Sequence, residues 1–171
     1  MKNVLLVDGY NVIHAWPELY ACRENLEEAR DKLIAILENY GAFQGLEVTI
    51  VFDANAVSGA AAFEFLVGKV AVLYTQEGET ADSRIEKMAY DMVRQNKQVH
   101  VVTSDWAEQM VILGAGAYRI SARELLQDVR KINKLIKEGF GETGLTYRRQ
   151  ELESRLNSDV VQRLHELRKR V

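Results

Sequence analysis

The chain alternates between two kinds of hydrophobic pattern, and the first is a short, continuous apolar run. Runs of this kind, rich in valine, isoleucine and leucine, are typical of strands buried on both faces in a parallel sheet. They cover residues 4–8, 48–53, 70–75, 99–105 and 117–121. The pattern therefore predicts five strands.

The second pattern places apolar residues every three or four positions, which predicts amphipathic helices between and after the strands. Thr80 is a suitable helix cap, and Ser121 with Glu124 matches the S-x-x-E capping box at a helix start. The predicted helices cover residues 24–40, 80–95, 106–113, 121–139, 148–156 and 159–170.

Strands separated by helical segments indicate βαβ units, and thus an α/β fold with a mostly parallel central sheet and helices on both faces. The segment 55–69 is rich in glycine and alanine and contains Phe63, Phe65 and Leu66. We expect a loop or an irregular helix there. No internal repeat and no low-complexity tract interrupts the pattern.

The amino-acid composition indicates the general class of protein. The 171 residues correspond to about one domain, with 47% apolar and 27% charged residues as in a globular protein. No apolar stretch reaches the roughly 18 residues of a membrane span, and Cys22 is the only cysteine, which excludes an internal disulfide. We expect a soluble, cytoplasmic protein without membrane contacts.

The charge is unevenly distributed along the chain. Residues 1–122 carry 10 Lys/Arg against 17 Asp/Glu, a balance of −7, whereas residues 123–171 carry 12 against 8, a balance of +4. A basic segment on an acidic body is a typical footprint for phosphate binding. A solvated helical tail is the alternative explanation.

Acidic residues follow several of the predicted strands. Because parallel strands direct their carboxyl ends to one edge of the sheet, where ligands bind, we expect these carboxylates to meet there. Converging carboxylates repel one another unless a cation lies between them, and oxygen ligands favour Mg²⁺ or Mn²⁺, which activate water and stabilise charge on a scissile phosphate. The acids are Asp8, Asp53, Asp105, Glu77, Glu79 and Asp82.

Each of these acids also has a purely structural explanation. Asp82 complements a helix dipole, Asp8 and Asp53 suit turns, and Asp105 suits a helix cap. Their joint position at one edge favours metal binding, and Asn11 is placed to hydrogen-bond a carboxylate or a bound water. The dinucleotide fingerprint and the P-loop are absent, and Tyr10 occupies the second acidic position that a haloacid-dehalogenase phosphatase requires.

Five motifs in order carry a family resemblance. They are DGYNVI (8–13), VFDA (51–54), EGETADSRIE (77–86), TSDWAEQ (103–109) and GAGAYRISAREL (114–125). Over about residues 3–130 the chain resembles the NYN domains of the YacP type, a branch of the PIN-like nuclease superfamily. The resemblance implies a three-layer α/β/α PIN-like domain over 1–130, followed by a helical basic C-terminal extension over 131–171.

The resemblance also implies metal-dependent endonucleolytic cleavage of RNA, with messenger RNA in a translating ribosome as the substrate. Asp8 and Asp82 are then the main metal-binding acids, Asp105 completes the site and Asn11 lies beside it. Asp53 and Glu79 match further family positions. The candidate RNA-binding residues are Arg119, Arg123, Arg148, Arg149, Arg168, Lys169 and Arg170.

Two other functions are compatible with the same residues. A ribosome- or RNA-binding module with a vestigial metal site would bind RNA without cutting it. A phosphohydrolase acting on small molecules would use the same acids, although the basic C-terminal segment favours a polymer.

Overall fold

The computed structural model describes residues 3–54, 62–103 and 116–138. Within them six strands form one sheet, in the order β3-β4-β2-β1-β5-β6. The strands are β1 (Asn3–Asp8), β2 (Glu47–Phe52), β3 (Phe63–Val67), β4 (Val70–Tyr74), β5 (Gln98–Val102) and β6 (Tyr118–Ile120). The helices are α1 (Gly9–Ala15), α2 (Pro17–Tyr20), α3 (Leu26–Gln44), α4 (Ala81–Arg94) and α5 (Ala122–Glu138).

Strand β1 lies at the centre of this sheet. Leu5 is paired with Val48 of β2 on one side and with His100 of β5 on the other, both in parallel. All other neighbours are parallel as well, except the antiparallel pair β3 and β4. Because the central strands are covered on both faces, their side chains are apolar without alternation. The α/β fold with a mostly parallel sheet is therefore confirmed.

Helices cover the two faces of the sheet. On one face, Ile85 and Ala89 of α4 belong to a buried cluster with Val4 and Leu6 of β1. Side chains of a strand alternate between faces, so Leu5 of β1 lies on the opposite side, where α1 and α3 contact β2. The result is three layers, with α4 over the centre of the sheet.

Two helix starts follow the predicted capping chemistry. The Thr80 hydroxyl accepts the backbone N–H of Ser83 at 3.2 Å, and α4 begins at the next residue. At the start of α5, the Ser121 hydroxyl accepts the Glu124 N–H at 3.2 Å while the Glu124 carboxylate accepts the Ser121 N–H at 2.7 Å. Both caps are confirmed.

The prediction of a loop or irregular helix over 55–69 is wrong for its described part. Residues 63–67 form β3, which joins β4 through the two-residue turn of Gly68 and Lys69. Gly68 has φ +58°, and glycine at the first position of a two-residue turn is a hairpin signal. The strand was not recognised because four of its five side chains are exposed, so its pattern lacks a buried face.

The chain divides into two units, Met1–Arg130 and Lys131–Val171. Of the second unit, the structure describes the end of α5. The helices predicted at 106–113, 148–156 and 159–170 lie outside the described residues. No helix in the described ranges is long and apolar enough to cross a membrane.

Candidate active site

The site begins where β1 ends, at Asp8. Its Oδ1 accepts the backbone N–H of Asn11 at 3.0 Å, so Asp8 caps α1. Its structural role is therefore that of a helix N-cap and not of the turn that the Asp-Gly sequence suggested. The cap holds the carboxylate in one orientation at the carboxyl edge of the sheet.

Asp82 lies beside Asp8 although 74 positions separate them in the sequence. The first turn of α4 contains Asp82, and α4 packs over β1 and β5. After β1 the chain adds β2, β4 and β3 on one side of β1, and it then crosses to the other side of β1 to form β5 and β6. The order of strands therefore reverses between β1 and β5. Ligands bind at the carboxyl ends of the two strands that flank such a point.

The electrostatics of Asp8 show how close these acids are. The pKa of Asp8 is raised from 3.8 to about 6, chiefly by burial, while the Asn11 N–H lowers it. The negative charge of Asp82, a hydrogen bond with the Asp82 carboxyl group and the charge of Asp53 contribute to the same rise. A hydrogen bond between two carboxyl groups needs a proton on one of them, which the raised pKa of Asp8 favours.

Asp53 is held near the site by a threonine that the sequence analysis did not identify. Thr75 is fully buried; its hydroxyl accepts the Ala54 N–H at 3.0 Å, and its own N–H donates to the Phe52 carbonyl at 3.0 Å. These bonds fix the turn that carries Asp53 against the end of β4. A threonine at the end of an apolar strand was the available signal in the sequence.

Glu79 has a different partner. Its Oε1 lies 3.5 Å from Nη1 of Arg84, with both side chains largely buried. Within the described part of the chain, Glu79 Oε2 and Arg84 Nε are buried without a hydrogen-bond partner. Glu79 is not among the acids whose charges raise the pKa of Asp8, which are Asp82 and Asp53. The structure therefore pairs Glu79 with Arg84 and not with the two acids.

The donor set fits a divalent cation. Asp8 and Asp82 offer hard carboxylate oxygens whose mutual repulsion a cation would remove. Among residues 3–54, 62–103 and 116–138, no three His, Cys, Asp or Glu side chains meet closely enough to define a metal site. Asp105, the predicted third acid, lies outside the described residues; Thr103, two positions earlier, is buried at the end of β5.

The predicted RNA-binding residues are described only in part. Arg119 lies in β6 and is half-buried, and Arg123 is exposed in the first turn of α5. Because β6 is parallel to β5, α5 starts at the same edge of the sheet as Asp8. The other predicted residues lie outside the described ranges: Arg148, Arg149, Arg168, Lys169 and Arg170.

The glycine after Asp8 is required by close packing. A Cβ atom at Gly9 would lie 2.5 Å from Cδ1 of the buried Phe52 ring. We expect Gly9→Ala to lower the free energy of unfolding by about 1–3 kcal/mol, as overpacked cores do, and to displace Asp8. Urea denaturation measures the cost. In a Phe52→Leu background the cost of Gly9→Ala should shrink; an unchanged cost would contradict the steric explanation.

The α/β/α fold and the acidic pair at the carboxyl edge of its sheet define a protein of the PIN-like nuclease superfamily. More narrowly, the chain belongs to the family of YacP-like NYN domains, whose family model matches residues 5–169. The resemblance inferred from the five motifs is thereby confirmed.

Relatives from Bacillus subtilis support this assignment. The chain is 47% identical to the YacP protein of strain 168 over 135 residues, which are 78% of this chain and 79% of that protein. A crystal structure of Rae1 (YacP) matches with a TM-score of 0.71 at 40% identity, over 98% of this chain and 95% of the other. A mutant of Rae1 (YacP) matches with a TM-score of 0.70 at 45% identity, over 80% of each chain.

Proposed function

We propose that the protein is a divalent-metal-dependent endoribonuclease that cuts messenger RNA on the translating ribosome. The observation that carries this proposal is the contact between the Asp8 and Asp82 carboxyl groups at the carboxyl edge of the sheet. A carboxyl group whose pKa is raised by burial and by a neighbouring acid, as that of Asp8 is, is typical of functional sites. Because the chain belongs to a nuclease family, we infer that the pair takes part in the cleavage of phosphodiester bonds.

Asp8 and Asp82 are the residues that would hold Mg²⁺ or Mn²⁺, with Asp105 as the proposed third acid. When bound, the cation supplies positive charge to the scissile phosphate and activates water. The Asn11 N–H keeps the Asp8 carboxylate in position. Asn11 itself, through its side chain, is proposed to orient water or substrate beside the pair.

The substrate requires contacts beyond the acids. Arg123 at the start of α5 lies at the same edge as Asp8, and β6 is two strands from β1, a distance of about 10 Å at the usual strand spacing. We assign Arg119 and Arg123 to the RNA backbone. The basic balance of residues 123–171 provides further phosphate contacts, which would dock the enzyme on ribosomal RNA.

The test is an RNA cleavage assay with Mg²⁺ or Mn²⁺, performed on free messenger RNA and on the same messenger during translation. Primer extension maps the cut sites. We expect discrete cuts that depend on the metal and on translation. Cuts on free RNA would retain the nuclease and overturn the dependence on the ribosome.

A specific alternative gives a different result in the same assay. If the basic segment binds RNA and the acids are vestigial, wild-type protein and Asp82→Asn would both co-sediment with ribosomes and neither would cut. Metal-dependent turnover of bis-p-nitrophenyl phosphate without any cleavage of RNA would instead indicate a small-molecule phosphohydrolase.

A further inference from the structure

A groove of about 500 Å³ lies between α3 and the edge strand β3 with its neighbour β4, and neither Asp8 nor Asp82 lines it. One wall is a face of α3 that includes Glu27, Asp31 and Glu38, and the other is formed by Phe63, Phe65 and Tyr74 of the hairpin β3–β4. Glu27 and Glu38 are eleven residues apart on the helix, so the groove is about 16 Å long. That length accommodates about five residues of an extended peptide.

The aromatic wall is exposed and preorganised. The Phe63 and Tyr74 rings stack with centroids 4.6 Å apart, and the Phe63 and Phe65 rings are nearly parallel at 6.1 Å. Phe63 remains 50% exposed and Phe65 40% exposed. Apolar rings grouped on the edge strand of a sheet are typical of a surface that binds a partner.

The charge of the groove determines which partner it fits. Three carboxylates, those of Glu27, Asp31 and Glu38, line it, and among the described residues none of them has an ion-pair partner within 4.0 Å. The one lining arginine, Arg30, donates to the Tyr10 hydroxyl at 3.0 Å. The groove is therefore net negative, which repels a phosphate backbone and attracts cations.

We propose that this groove binds a basic, partly apolar peptide segment of a protein partner. Lysine or arginine side chains of the partner would pack their aliphatic stems on Phe63 and Phe65 and place their charges beside Glu27 and Asp31. Binding of a peptide in this groove requires neither the acidic pair nor a metal. A failure of this proposal can therefore be distinguished from a failure of the nuclease proposal.

The test is fluorescence anisotropy of a short labelled peptide in which arginine and leucine alternate, added to the metal-free full chain. Binding should weaken as salt is added, because the attraction is electrostatic. We expect Glu27→Gln with Asp31→Asn to lower the affinity at least about tenfold, and Phe63→Ser to do the same. Thermal unfolding checks that each variant is folded, and amide chemical shifts of Ile34 and Ala35 report the site in the unmodified protein.

The matched control changes α4 instead. Tyr90 is 50% exposed, like Phe63, and is followed by the exposed acid Asp91. Tyr90→Ser with Asp91→Asn should leave the affinity unchanged. Equal losses in this control, shifts elsewhere than α3 and β3, or no binding of the peptide would overturn the proposal. Binding of single-stranded oligoadenylate that Phe63→Ser abolishes would overturn it in favour of an RNA site.

Discussion

Asp82→Asn is expected to reduce RNA cleavage by about 100- to 1,000-fold while the protein stays folded. The substitution keeps the size of the side chain but removes the charge that would hold a cation opposite Asp8, and such a ligand contributes several kcal/mol to the transition state. Losing an acid from the first turn of α4 costs about 0.3–1 kcal/mol through the helix dipole, which relief of the repulsion with Asp8 offsets. Cleavage rate and thermal unfolding are measured on the same preparation.

The control for Asp82→Asn is Asp91→Asn. Asp91 is an exposed acid on the same helix, and its substitution changes the net charge equally. Cleavage by this variant should match wild type. If Asp82→Asn unfolds the protein, Asp82 has a structural role. If the folded variant retains full cleavage, Asp82 does not hold the cation and the proposed site is wrong.

Asp8→Asn is expected to stabilise the metal-free protein at pH 8 by about 1–3 kcal/mol while abolishing cleavage. The pKa of Asp8 is about 6 in the folded protein and 3.8 in the unfolded chain. The folded state therefore binds more protons than the unfolded state between about pH 4 and pH 6. The stability contributed by this group is present below about pH 4 and is lost as pH rises to about 6 and beyond. A shift of one pKa unit corresponds to about 1.4 kcal/mol. Asparagine preserves the cap on α1 and removes the charge.

Urea denaturation at pH 5 and pH 8 measures this effect, with Asp91→Asn as the control. Wild type should gain stability from Mn²⁺ at pH 8 and much less at pH 5, because protons compete with the cation for Asp8. Asp8→Asn should gain little at either pH. Equal stabilisation of this variant and of wild type by Mn²⁺ would contradict the assignment of Asp8 to the metal.

The fold class and the placement of acids at one edge of the sheet could be predicted from the sequence because both depend on short-range patterns. Asp8 and Asp53 follow buried strands, and parallel strands bring such ends to one edge whatever the loops do. The predicted proximity of Asp8 and Asp82 is seen in the electrostatics of the pair. The placement of Asp105 stays a prediction.

Other features depend on contacts that no local pattern encodes. The Thr75 hydroxyl accepts a hydrogen bond from the Ala54 N–H, 21 positions away in the sequence. Glu79 forms an ion pair with Arg84. Helix α1 was not predicted because it starts directly at Gly9, without a linker after β1. The groove beside α3 exists because the hairpin β3–β4 extends the sheet beyond the helix that covers it.

The central position of β1 determines when the protein can fold during its synthesis. Leu5 is made first, yet its partners are Val48 on one side and His100 on the other. At roughly 5–20 residues per second, the second partner follows on the order of 5–20 s later. Until then the nascent chain carries an apolar strand with one unpaired edge, which is the kind of segment that aggregates or engages chaperones. Pairing of β1 on its second edge therefore waits for the synthesis of β5.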